Sequence, residues 1–148
     1  MRKEASLSIV EDTVNHKFLM IRHQRGINKG FVNFPGGKRE DGESILDCVK
    51  RETFEETAIK IENPVEVGYV EFPQSEFFVH IFKSTKFSGD ILAREGETDA
   101  FWVDCDKIPY DEMRATDRDF LTDIFAGKFV RRQYLFDENW NLLEIKDL

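Results

Sequence analysis

Cysteine is scarce: only Cys48 and Cys105 occur in 148 residues. Without paired metal-ligand spacing they exclude a disulfide framework and read as reduced thiols, one of them in the core. Long apolar runs are also missing. None approaches the roughly 18 residues of a membrane span. "MRKEASLSIV" begins basic but lacks the apolar stretch of a signal peptide, so a cytoplasmic chain with no membrane partner is expected. There is no Lys/Arg block, and the net charge is −8. Such a surface repels a phosphate backbone, which argues against a nucleic acid polymer as partner. A small anionic substrate then needs something cationic to hold it. Repeats, linkers and low-complexity segments are absent, so one domain over residues 1–148 is expected. No Ser/His/Asp or Cys/His constellation stands out.

What is present is a mixture of hairpins and two helices. Ser6–Val10 and Lys17–Arg22 read as strands across the turn "EDTVNH". The stretch "HQRGINKGFVNFPGGK" reads as loop, with a short strand at Phe31–Phe34. Ser44 to about Ala58 reads as a helix with Ser44 as N-cap and Asp41 and Glu43 before it. Strands follow near Val65–Phe72, Glu76–Phe82 and Phe101–Cys105. "TDRDFLTDIFAGK" reads as a second helix with Phe120, Leu121, Ile124 and Phe125 buried. Lys128–Phe136 and Asn141–Ile145 then form a closing hairpin. This order implies an α+β fold or an α/β sandwich.

The stretch "RETFEETAI" places Glu52, Glu55 and Glu56 on the first helix. Residues three and four apart share a helix face. Ile45, Cys48 and Val49 precede Glu52 at that spacing, so the apolar stripe is expected to turn into a carboxylate stripe facing inward. Crowded carboxylates either raise one pKa or recruit a cation. A solvated glutamate-rich face is the ordinary alternative. Hard oxygen donors suit Mg²⁺ or Mn²⁺. Just upstream, Gly36 and Gly37 allow a close backbone approach or a donated carbonyl, and Lys38 can meet a phosphate. A loop of this kind beside a triple-glutamate helix suits metal-assisted pyrophosphate hydrolysis. His23, Arg22 and Arg25, at a strand end entering the loop, are further phosphate contacts or merely a solvated strand end.

"GGKREDGESILDCVKRETFEETAI" resembles the box of the Nudix hydrolase family. The matching positions are Gly37, Glu43, Arg51, Glu52, Glu55, Glu56 and Ile59. Thr53 stands where an aliphatic is usual, and Ala58 where glycine is usual. The resemblance implies the Nudix fold, an α/β/α sandwich with a mixed sheet between helices. It implies Mg²⁺ (or Mn²⁺) held by Glu52, Glu55, Glu56 and the Gly37 carbonyl, with Arg51 orienting Glu52 and Glu43 stabilising the loop–helix motif. Glu52 or a neighbouring glutamate would take the proton of the attacking water.

Outside the box the chain is similar to the MutT-type 8-oxo-dGTP diphosphatase branch. That likeness implies a purine contact at Asn33, a base-edge contact at Asp117 and a further metal-approaching carboxylate at Glu97. Arg114 stands where an aromatic is usual. The expected activity is hydrolysis of an oxidised purine nucleoside triphosphate to monophosphate and pyrophosphate, which cleanses the nucleotide pool and serves DNA repair. Alternatives are an ordinary dNTP, ADP-ribose or a nucleotide sugar as substrate, or a nucleotide-binding domain without turnover. The partner is a small-molecule nucleotide, and the assembly a monomer or homodimer.

Overall fold

The computed structural model describes residues 2–92 and 98–148. Glu97 lies outside them. Eleven strands and two α-helices are formed by the described residues. The strands are β1 (Lys3–Asp12), β2 (Lys17–His23), β3 (Val32–Asn33), β4 (Gly36–Lys38), β5 (Lys60–Glu62), β6 (Val65–Phe72), β7 (Phe77–Ser84), β8 (Lys86–Ser88), β9 (Thr98–Asp104), β10 (Val130–Phe136) and β11 (Leu142–Asp147). The helices are α1 (Ile45–Thr57), between β4 and β5, and α2 (Ala115–Phe125), between β9 and β10.

A mixed sheet runs in the order β11-β10-β6-β7-β1-β2-β3, with β4 on β1 and β9 on β2. β1 pairs in parallel with β7, and β10 in parallel with β6. The other edge of β1 is shared. Its first half pairs with β4, from Ala5↔Lys38 to Leu7↔Gly36, and only its end pairs with β2, at Glu11↔Phe18 and Asp12↔Lys17. The sheet therefore opens between β1 and β2, and β4 fills the gap. β4 lies in a stretch that reads as loop, because three residues with two glycines carry no alternation.

Strand side chains alternate between faces, and each face has its own core. Leu7, Ile9, Met20 and Ile81 pack with Phe120, Leu121 and Ile124 of α2. Val10, Leu19 and Phe82 pack with Val49 of α1 and with Ile59 and Ile61. The two helices thus cover opposite faces, the expected α/β/α sandwich. β5 and β8 form a small separate ribbon beyond α1.

Helix α1 starts as the sequence implies: Ser44 Oγ accepts the Asp47 N–H at 3.0 Å. It ends at Ala58, whose φ of 66° is left-handed and whose N–H bonds to Phe54 O. Glycine is preferred there, so alanine costs about 1 kcal/mol. The buried stripe of α1 differs from expectation. Val49 is followed inward by Thr53 and Thr57, not by the glutamates. Each threonine hydroxyl donates to the carbonyl four residues back, at 2.6 Å, which satisfies it without water. The glutamates lie on the flank, with Glu52 17% and Glu55 52% exposed.

At α2, neither Thr116 nor Asp117 caps the helix. Arg114 occupies the N-cap without a side-chain bond, and Asp117 falls in the first turn with its side chain buried. Among the described residues, no helix is long and apolar enough to cross a membrane.

Candidate active site

β1, β4 and α1 meet at two glycines. Gly37 pairs with Ser6 on the face covered by α1. A Cβ there would lie 2.4 Å from the Glu52 carboxylate, so the loop backbone and this side chain occupy touching space. A Cβ on Gly36 would lie 2.1 Å from the Ser6 carbonyl oxygen. Gly36 is thus dictated by packing against β1, while its N–H donates to Glu56 Oε1 at 2.8 Å. Behind the turn, the buried Cys48 thiol donates to the Gly37 carbonyl at 3.6 Å and lies 3.5 Å from Ser6 Oγ.

Arg51 organises the carboxylates. Its side chain leaves the outer face of α1 and reaches around to the loop. Nε and Nη2 grip Glu43 at 2.7 and 3.0 Å, and Nη1 donates to Glu52 at 2.8 Å and Glu55 at 3.1 Å. Nη2 also donates to Lys38 O at 3.1 Å. One guanidinium therefore ties the loop to three carboxylates. Those carboxylates raise the Arg51 pKa, Glu43 most of all. Arg51 in turn holds Glu43 below the usual carboxylate range. Glu52 goes the other way. Burial raises its pKa, and the charges of Glu55 and Glu43 add to that, against the pull of Arg51.

Glu52, Glu55, Glu56 and the Gly37 carbonyl offer only hard oxygen donors, the chemistry that suits Mg²⁺ or Mn²⁺. Among the described residues no three or more His, Cys, Asp or Glu side chains converge closely enough to hold an ion as they stand. Mg²⁺ or Mn²⁺ held there would polarise phosphate oxygens and lower the pKa of a bound water.

The remaining expected site residues are distributed. The Lys38 ammonium sits 5.4 Å from the centre of the Phe77 ring, because Lys38 alternates to the face opposite Gly37. In the present arrangement it is turned away from the glutamates. Asn33, on β3, accepts the Phe34 N–H with its own Oδ1 at 2.8 Å. Asp117 is 8% exposed, and its Oδ2 finds no hydrogen-bond partner among the described residues. Burial pushes its carboxyl up to about 6. His23 ends β2, where burial lowers its pKa. Arg25 is exposed in the loop between β2 and β3.

That loop is held by two arginines. Arg22 donates to Gly30 O at 2.9 Å and pairs with Glu112 at 2.8 Å. Arg114 donates to Asn28 Oδ1 at 3.0 Å, and its guanidinium lies 3.9 Å from the Phe31 ring centre. The Arg114 contacts were not legible: 86 residues separate it from Asn28. The one signal was an arginine at a position where an aromatic is usual.

The family model described as NUDIX domain matches residues 1–124. The chain belongs to the Nudix hydrolase family. An oxidized purine nucleoside triphosphate hydrolase from Mus musculus is 32% identical over 134 residues, covering 86% of this chain and 83% of that protein. An NAD-capped RNA hydrolase NudC from Chromobacterium violaceum is 39% identical over 85 residues, covering 54% of this chain and 31% of that protein. Among solved structures, a MutT protein from Bacillus halodurans superposes with a TM-score of 0.76 at 27% identity, covering 97% of this chain and 96% of that one.

Proposed function

We propose that this chain is one catalytic domain that hydrolyses 8-oxo-dGTP to the monophosphate and pyrophosphate, acting in the cytoplasm to keep oxidised purines out of DNA. The observation that carries the base preference is Asp117, a buried carboxylate with one oxygen that has no hydrogen-bond partner among the described residues. Such a group discriminates strongly between bases. It accepts from a purine N–H, and a base without that donor leaves it buried and unsatisfied. Asn33 adds an amide that both donates and accepts. The likeness to the mouse oxidized purine nucleoside triphosphate hydrolase supports the same substrate class.

Hydrolysis is assigned to the loop and α1. Glu52, Glu55, Glu56 and the Gly37 carbonyl would hold Mg²⁺ or Mn²⁺. Glu97 is proposed to approach the metals as a further carboxylate. Arg51 fixes the Glu52 carboxylate in place. Water adds its oxygen to phosphorus, the α–β anhydride bond breaks, and a glutamate of the trio takes the proton. Lys38, His23 and Arg25 are phosphate contacts in this reading, Lys38 after swinging off Phe77. Gly36 acts through its N–H, which positions Glu56.

The test is pyrophosphate release with Mg²⁺ across 8-oxo-dGTP, dGTP, dATP, dCTP, ADP-ribose and a nucleotide sugar. The expected outcome is the highest kcat/KM for 8-oxo-dGTP, a preference narrowed by Asn33→Ala. An equal loss for every nucleotide in that variant would sink the base-reading role. Glu55→Gln with Glu56→Gln should abolish turnover and the Mg²⁺-dependent rise in Tm while the fold survives. Persisting turnover overturns the metal assignment.

A further inference from the structure

A group of exposed apolar side chains lies together at one edge of the molecule. Trp140, Leu142, Leu143, Ile145 and Leu148 are between 43 and 66% exposed. Four of them lie on or directly after β11, the terminal strand of the sheet, in which every residue is exposed. An open apolar edge strand is a template for pairing with another strand. β11 has no proline, and its irregularity lies at its start, opposite Leu135 and Phe136. What guards it is charge, at Glu144, Lys146 and Asp147.

The direction of the backbone groups follows from the hydrogen bonds. Leu148 N–H donates to Arg131 O at 2.8 Å. Antiparallel pairs alternate in bonding, so Lys146 and Glu144 also turn their N–H and C=O groups toward β10. Asp147 and Ile145 turn theirs to the open edge. A second β11 running antiparallel about a twofold axis meets those groups if Ile145 faces Ile145, and equally if the axis lies at Glu144 or Lys146, since each sets odd-numbered residues opposite one another.

Charge selects the same register. With the axis at Ile145, Glu144 faces Lys146 of the other copy twice over, Leu142 faces Leu148, and Leu143 faces Asp147. Moving the axis by one residue sets Glu144 against Glu144 or Lys146 against Lys146, which is unfavourable. Charge thus selects, from the registers that hydrogen bonding allows, the one centred on Ile145.

We propose that β11 is a self-association edge: two copies of this chain pair through β11, antiparallel and centred on Ile145, extending the sheet across both. The contact is a strand and its flanking apolar side chains, so the dimer is reversible and of modest affinity. It is independent of the substrate assignment.

Sedimentation equilibrium of the full chain, over roughly 1–500 µM, reads the dimer directly. Glu144→Lys alone and Lys146→Glu alone should each weaken it about tenfold or more, and the double reversal should return it to within about threefold. Neither side chain is buried, and an unchanged circular dichroism spectrum verifies the fold. Ile145→Cys should cross-link on mild oxidation, since directly opposed Cα atoms lie about 5.5 Å apart. A chain that stays monomeric throughout overturns the proposal. So does a dimer indifferent to both single reversals, a double reversal that fails to restore it, or an Ile145→Cys variant that dimerises without ever cross-linking.

Discussion

At the residue scale, two adjacent glycines do different jobs. The Cβ of Gly36→Ala would strike the Ser6 carbonyl, which belongs to a paired strand. The Cβ of Gly37→Ala would strike the end of the Glu52 side chain, which can swing aside. The expected outcome is a split. Gly36→Ala lowers Tm by several degrees, whereas Gly37→Ala keeps Tm near wild type and loses most of kcat. Equal effects on both quantities would refute the distinction. Asp117 carries a second prediction. Its pKa is raised by burial to about 6, above that of the unfolded chain. The native state therefore holds the proton more tightly, and the carboxyl's favourable contribution is fully present below about pH 4 and lost as pH rises to 6. Urea titrations from pH 4 to 7 should show Asp117→Asn gaining on wild type across that window, by about 3 kcal/mol at the plateau. A flat difference would mean the carboxylate is solvated or paired. The role of Asp117 as a reader of bases was carried by resemblance. Its burial and its unpaired oxygen were not legible, because they depend on what packs around the first turn of α2.

At the scale of elements, Arg132 joins three of them. From β10 it bonds Asp119 at 2.9 Å and Asp123 at 2.6 Å on α2, and Asp147 at 2.8 Å on β11. Its side chain is 11% exposed. Asp119 also accepts the Tyr134 hydroxyl, and burial together with that carboxylate raises the Tyr134 pKa. "KFVRRQY", three cations beside aromatics in a chain of net charge −8, reads as an exposed strand and not as a nucleic-acid patch. Its partners are 9 to 15 residues away: the α2 aspartates arrive when that helix docks, and Asp147 when β11 pairs with β10. Arg132→Met should cost about 2 kcal/mol in urea unfolding, since three carboxylates are left without their shared cation. A loss below about 0.5 kcal/mol would place the network among ordinary surface pairs. Helix α1 shows the converse case. Ser44 as N-cap was legible because the cap and its partner lie three residues apart. The inward threonines were not, since a polar residue counts as buried only once its hydroxyl has found a backbone carbonyl.

At the scale of the whole molecule, a sheet covered on both faces gives each helix its own core, and an acidic chain concentrates carboxylates where α1 meets the loop. Strand alternation, the cap of α1 and the box spacing are local, so two helices among hairpins and the grouping of Glu43, Arg51, Glu52, Glu55 and Glu56 were readable from residue order. That β4 fills the opening beside β1, that Lys38 turns to Phe77, that Arg114 ties down the loop before β3, and that β11 lies at the edge emerged on packing alone. Those outcomes depend on strand register and on contacts between residues far apart in the chain. Neither propensity nor periodicity encodes such contacts; they are set when the two faces of one sheet are packed at once.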